Sequence, residues 1–242
     1  MTEVERAEWA GGLCLPSDRK QRLFLCAVCR RTLHMAGDGR CSAAVEVAER
    51  AADGLAPEGE VRAAVAGVRA AAIDAMKRVE AVAAAAGREA STWVEYVGTS
   101  GLACPELAAV SAAVVCQLPL WSRADAEQVR NLTLLALVNA AEAMRFGELR
   151  READERLAQE RVFRDVAAVR PVTPNPFWLT STVVSLAEGI YADRAFDRLP
   201  ILADALQDAG CGDADVLDHC RSDGPHVRGC WAVDLIVGKE CS

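Results

Sequence analysis

Four residues near the end of the chain have the types and spacing of a transition-metal site. His219 and Cys220 are adjacent, His226 follows the link Arg221-Ser222-Asp223-Gly224-Pro225, and Cys230 stands four residues beyond His226. Imidazole nitrogen and thiolate sulfur are donors that zinc favours, so four of them within twelve residues would complete a tetrahedral centre. A helix expected over 227–237 would project His226 and Cys230 from one face near its start, because residues four apart share a side. Asp218-His219-Cys220 would close the preceding helix, with the link turning the chain back.

Two other readings of the same residues stay open. In the first, Cys220 is a small buried hydrophobe, Cys230 packs with Trp231, and His226 caps the helix start. Adjacent residues such as His219 and Cys220 point in different directions on a helix, and the ligand spacing matches no familiar zinc finger, both of which favour this reading. In the second, Cys230 or Cys220 is a nucleophile with His226 as its base, oriented by Asp223 or Asp234. A thiol at a helix start gains thiolate character. Cys230, about a turn inside the expected helix and beside Trp231, reads instead as buried.

A second constellation, Cys26-x-x-Cys29 with His34, lies near the other end. At 100° per residue both cysteines fall on the arc of Leu25, Val28 and Leu33, whereas His34 falls with Arg30 and Lys20 on the polar arc. That mismatch argues against three ligands meeting, and a CxxC without a βαβ setting is a weak redox signal. The chain has no phosphate-cradling GxxxxGK[ST], no HExxH, no GxSxG, and no paired ExxH helices of the di-iron type.

The elements that must position these groups read as helices throughout. Helices are expected over 19–36, 40–52 and 58–86, the last with a narrow seam of Val61, Val65, Val68, Ala72, Ala75, Val79, Val82 and Ala86. Residues 88–103 read as a short helix or an extended piece ending in a turn, and Cys104 to Leu118 as a helix. A long central helix is expected from Ser122 to about Val169, charged beyond Glu148, where the apolar stripe thins to Leu149, Ala153 and Leu157. Arg170 to Pro176 holds three prolines and marks a boundary, after which short helices are expected near 178–190, 200–209, 213–220 and 227–237. The expected fold is all-α: a multi-helix bundle over 1–169 with a long central helix, and a C-terminal set of short stacked helices over 170–242 packed on it as one compact unit.

Composition supports this class. The chain of 242 residues is 52% hydrophobic with only 5% aromatics, so its apolar side chains are mostly Ala, Val and Leu, suited to closely approaching helices. Its net charge of −8 lacks the positive field that supplies non-specific nucleic-acid affinity, which argues against nucleic acid as a partner. The basic groups Arg19-Lys20 with Arg22, and Arg30-Arg31, read as solvated helix faces. The polar, acidic start resembles no signal peptide, and Pro105, Glu106, Gln117 and Pro119 interrupt the most apolar stretch, which argues against a membrane span. Ten cysteines without an export signal imply reduced thiols and a cytoplasmic location.

Several segments resemble one paralogous family of bacterial proteins abundant in planctomycetes. They are Arg22-Leu23-Phe24-Leu25-Cys26-Ala27-Val28-Cys29-Arg30-Arg31 and Val45-Glu46-Val47-Ala48-Glu49-Arg50 near one end. Towards the other end they are Phe163-Arg164-Asp165, Arg170-Pro171-Val172, Trp178-Leu179-Thr180-Ser181-Thr182, Ile190-Tyr191, Pro200-Ile201-Leu202-Ala203-Asp204-Ala205-Leu206 and His226-Val227-Arg228-Gly229-Cys230-Trp231. The family more often carries a cysteine beside Cys29, where this chain has Val28. The resemblance implies no particular activity, cofactor or catalytic residue. The expected function is therefore a non-enzymatic binding or regulatory module meeting a protein partner, through the charged half-helix 148–164 or the segment from Arg170 to Trp178. The alternative is a zinc-dependent or thiol-dependent activity centred on His226 and Cys230.

Overall fold

The computed structural model describes residues 17–85, 149–167 and 172–239, and these are all-α: eight α-helices and two short 3-10 turns, with no strand among the described residues. In chain order the helices are α1 (Asp18–Ala36), α2 (Gly39–Ala52), α3 (Glu58–Ala85), α4 (Leu149–Val166), α5 (Ser181–Asp193), α6 (Leu199–Asp208), α7 (Ala214–Arg221) and α8 (Trp231–Val237). The expectations for 88–103, for the helix from Cys104 and for the first part of the long central helix fall on residues outside the described ones. No helix among the described residues is long and apolar enough to cross a membrane.

The chain divides into two units, one of Met1–Cys14 with Gln21–Gln159 and one of Leu15–Lys20 with Glu160–Ser242. The division differs from the expected break at the prolines. It falls inside α4, because Val162, Asp165 and Val166 are buried and Asp165 bonds to groups on the loop after α7. The first turn of α1 also belongs to the C-terminal unit, where Arg19 and Lys20 both reach Asp234.

In the first unit, α1 buries every residue from Leu23 to Cys29. Asp38 caps α2 by accepting from the Arg40 amide at 2.9 Å, the orphan donor that a helix start leaves unmet. Cys41 and Ala44 of α2 pack with Val68, Ala71 and Ala75 of α3, so the expected seam is packed at Val68 and Ala75 but runs through Ala71, with Ala72 only partly covered, and its continuation at Val79, Val82 and Ala86 lies outside the described side chains. The basic groups of α1 are not solvated faces. Arg30 is bidentate on the buried Glu49 at 2.7 and 3.0 Å, and Arg31 holds the buried Glu155 at 2.8 Å. The α4 face differs as well: Leu157 is 48% exposed, while Glu155 and Gln159 are buried. An arginine fork facing Glu155 makes burial of that acid tolerable, and an apolar stripe cannot register such a pairing.

The C-terminal unit has its own core, in which Val183, Ile190 and Tyr191 of α5, Leu199, Leu202 and Leu206 of α6, Val216 and Cys220 of α7, and Trp231 to Ile236 of α8 are buried together. Thr180 caps α5 and Asp213 caps α7, each accepting amide hydrogens through its side-chain oxygen. Pro200 stands in the first turn of α6, where a missing amide hydrogen costs nothing. The last helix is shorter than expected. It starts at Trp231 with Cys230 as its N-cap, so 222–230 is a loop rather than the first turn of a helix.

Candidate metal centre

The end of α4, the end of α7, the loop after it and the start of α8 bring four potential ligands together in the C-terminal unit. Asp165, His219, His226 and Cys230 each offer one donor atom, and these atoms lie within 4.8 Å of one another. Asp165 and Cys230 are buried, and the two histidines are partly exposed. Three of the four residues expected from the sequence therefore meet. Cys220 does not join them: it is packed into the core of α5 to α8, on a different side of α7 from its neighbour His219. Burial pushes the Cys220 thiol up to about 12, with the Asp165 carboxylate adding to the shift. A Cys220→Ala variant is accordingly expected to retain metal uptake unchanged and to lose only packing, on the order of 1 kcal/mol for one small buried group. Metal analysis beside a denaturation curve checks both halves.

Asp165 stands in the cluster where Cys220 was expected. Its Oδ1 faces His226 Nδ1 at 2.6 Å and His219 Nε2 at 3.1 Å, and its Oδ2 accepts from the Val227 amide at 2.8 Å. Burial would raise this carboxyl, but the hydrogen bonds from His219 and His226 and the charge of the His226 imidazolium outweigh it and hold it below the ordinary 3.8. Burial likewise lowers His226, and the Asp165 carboxylate overcomes this to raise the imidazole above 6.5. Without a metal, then, Asp165 and His226 form an ion pair. Cys230 is fully buried and its thiol is pushed well above 9.0, chiefly by burial and then by the Asp165 charge, with the amides of Val233 and Ala232 opposing.

The outer contacts orient the rings. His226 Nε2 lies 3.1 Å from the Ser222 carbonyl oxygen, which only accepts, so this nitrogen carries a proton. Trp231 Nε1 donates to His219 Nδ1 at 3.1 Å, so that nitrogen carries none. The tryptophan ring also packs on the His219 ring at 4.7 Å between centroids, and the His219 ring meets that of His226 edge-on at 5.0 Å.

Gly224 shapes the loop that delivers His226. Its φ is +75°, and a Cβ there would lie 2.8 Å from the His226 backbone nitrogen and 3.3 Å from the ring Cδ2. Gly224→Ala is therefore expected to displace His226, costing about 1–3 kcal/mol of stability and weakening metal uptake. Equal affinity in the variant would remove this loop from the account.

No family model, curated protein or solved structure matches this chain. The reading of the centre thus rests on its own geometry. A tetrahedral ion with bonds of about 2.0–2.3 Å sets its ligand atoms roughly 3.3–3.8 Å apart. The 3.1 and 3.2 Å separations at His219 are near that range, whereas the 2.6 Å contact is a hydrogen-bond distance, so metal uptake must part His226 from Asp165.

Asp165 was not among the expected ligands, although it stands in the family-like segment Phe163-Arg164-Asp165. A signal was present. Val162 and Val166 stand four apart on the buried side of α4, and an acid at 165 beside Val166 lies near that side rather than on the solvated one. The Cys26–Cys29 pair behaves as expected of core residues: both are buried, and His34 is exposed.

Proposed function

We propose that the C-terminal unit is a zinc-binding module whose centre lies among Asp165, His219, His226 and Cys230. The observation that carries this reading is the convergence of one carboxylate, two imidazoles and one thiol within 4.8 Å, drawn from α4, α7, a loop and the cap of α8. Mixed oxygen, nitrogen and sulfur donors suit zinc better than magnesium or calcium, which take oxygen, or copper(I), which takes sulfur. The bond from His226 Nε2 to the Ser222 carbonyl and that from the Val227 amide to Asp165 Oδ2 are outer contacts of the kind that hold ligands in register.

Thiol chemistry has less support. A catalytic pair needs a histidine nitrogen ready to take the cysteine proton. Here His219 Nε2, at 3.2 Å from Cys230 Sγ, carries its own hydrogen because Nδ1 is accepting from Trp231. The Cys230 sulfur is also buried. As for a protein-contact module, the half-helix proposed as its surface has Glu155 and Gln159 buried. Phe177, 83% exposed on the turn before α5, is the better anchor for such a surface.

Metal analysis of the purified full-length protein tests the zinc reading. One zinc per chain is expected, lost in Cys230→Ser and His226→Ala variants that keep their helical circular dichroism. Binding to the folded state alone adds about 2.7 kcal/mol at a zinc concentration a hundred times Kd. A protein that takes up no zinc, and melts at the same temperature with and without it, sinks the proposal.

A further inference from the structure

The two histidines of the centre present their ring nitrogens in opposite ways. A neutral imidazole has one N–H, and a metal binds the nitrogen that lacks it. His226 suits ligation, since its Nε2–H is spent on the Ser222 carbonyl at 3.1 Å and Nδ1 faces Asp165 with a lone pair to offer once the ion-pair proton leaves. His219 is wired the other way. The indole of Trp231 can only donate, and it donates to Nδ1, so the hydrogen of His219 sits on Nε2 and points at Asp165 Oδ1 at 3.1 Å and Cys230 Sγ at 3.2 Å. Ligation through Nε2 would move that hydrogen to Nδ1, against the indole N–H. Trp231 cannot easily turn away, because it is buried in the core of the C-terminal unit.

From this wiring we infer that zinc is held by three protein ligands, Asp165, His226 and Cys230, with His219 a positioning donor and the fourth coordination position taken by an exogenous Lewis base. The inference rests on the zinc reading above and deepens it. Three protein donors and one exchangeable position make the arrangement of a working metal site rather than a closed structural one. The base it accepts is water at rest, replaceable by a small anion. His219 supplies a hydrogen to the carboxylate and the sulfur, which fixes their placement and tempers the negative charge that two anionic ligands bring to the metal.

Cobalt(II) in place of zinc reads the coordination sphere directly. In the full-length protein, azide or cyanide is expected to shift the cobalt visible bands while the thiolate-to-cobalt band persists. Bands that ignore both anions overturn the inference, since four protein ligands leave no position to exchange. His219 is tested in parallel. Glutamine offers a carbonyl to the indole and an amide hydrogen to Asp165, so His219→Ala should weaken cobalt binding about 10–100-fold and His219→Gln should recover it to within about threefold. Equal loss in both variants, with a changed visible spectrum, makes His219 a ligand and overturns the inference while leaving the zinc reading intact. If the wild-type chain takes up no cobalt or zinc, both fall together. Should His219→Gln fail to fold, the anion titration on the wild-type protein still decides.

Discussion

Replacing Asp234 with alanine is expected to cost about 3–5 kcal/mol of folding stability, the usual result of stripping a buried charge of its partner. Asp234 is 1% exposed in the first turn of α8, where a negative charge also suits the helix start. Its Oδ2 receives the Lys20 ammonium at 2.5 Å and the Arg19 guanidinium at 2.7 Å, and Oδ1 takes a second bond from Arg19 at 3.2 Å. Lys20 is 3% exposed and also donates to the Gly229 carbonyl at 2.7 Å, while Arg19 donates to the Tyr191 hydroxyl at 2.7 Å. Without the carboxylate, Lys20 keeps one neutral acceptor for a full buried charge. The double variant Lys20→Met with Asp234→Ala should therefore be more stable than Asp234→Ala alone, by a margin that measures the coupling. Urea denaturation of the four proteins in the cycle gives it. A single variant within about 1 kcal/mol of wild type would mean that the pair is solvated, contrary to the structure.

The second large effect belongs to Asp165. In the metal-free, chelator-treated protein, Asp165→Ala is expected to lose about 3 kcal/mol, the lower end of the range for breaking a buried pair, because His226 can respond by giving up its proton. The pH profile carries the signature. His226 is raised above 6.5, so its contribution is complete below that value and is lost as pH rises through the higher folded-state value. Asp165 is lowered below 3.8, so its contribution is complete above 3.8 and is lost as pH falls through the lower one. The two shifts describe one ion pair and are not added. Wild-type stability should have a plateau between 3.8 and 6.5 from this pair and decline on the alkaline side, and the alanine variant should lack that decline. An alkaline slope identical in both proteins would place the titration elsewhere.

How much of this was legible in the sequence depends on whether a feature is local or tertiary. Several helix bounds were legible, because their signals are local: the helix expected over 40–52 runs from Gly39 to Ala52, and Pro200 stands in the first turn of α6. The burial of Cys26 and Cys29 followed from their arc on α1. Lys20 was misread by the same arc, since periodicity sorts residues by polarity and Asp234 lies 214 residues away. At the candidate metal centre, His219, His226 and Cys230 were found by type and proximity in sequence, while Asp165 lies 61 residues from His226 and belongs to another helix. The expected helical face for His226 and Cys230 failed for a backbone reason. Gly224 and Gly229 both take positive φ, and the chain between α7 and α8 closes as a loop that no helical wheel describes.

The bond between Lys20 and Asp234 has a consequence for synthesis and for dissection of the chain. During translation the ammonium of Lys20 emerges more than two hundred residues before the carboxylate that neutralises it. Until then the first turn of α1 has no reason to dry out, and the C-terminal unit closes only after Asp234 has left the ribosome. The same arithmetic governs truncation. A fragment starting at Glu160 would hold α5 to α8 and every proposed metal ligand, yet it would bury Asp234 with neither Arg19 nor Lys20 to meet it. An autonomous fragment carrying the proposed centre therefore needs the short stretch around Arg19 and Lys20 as well.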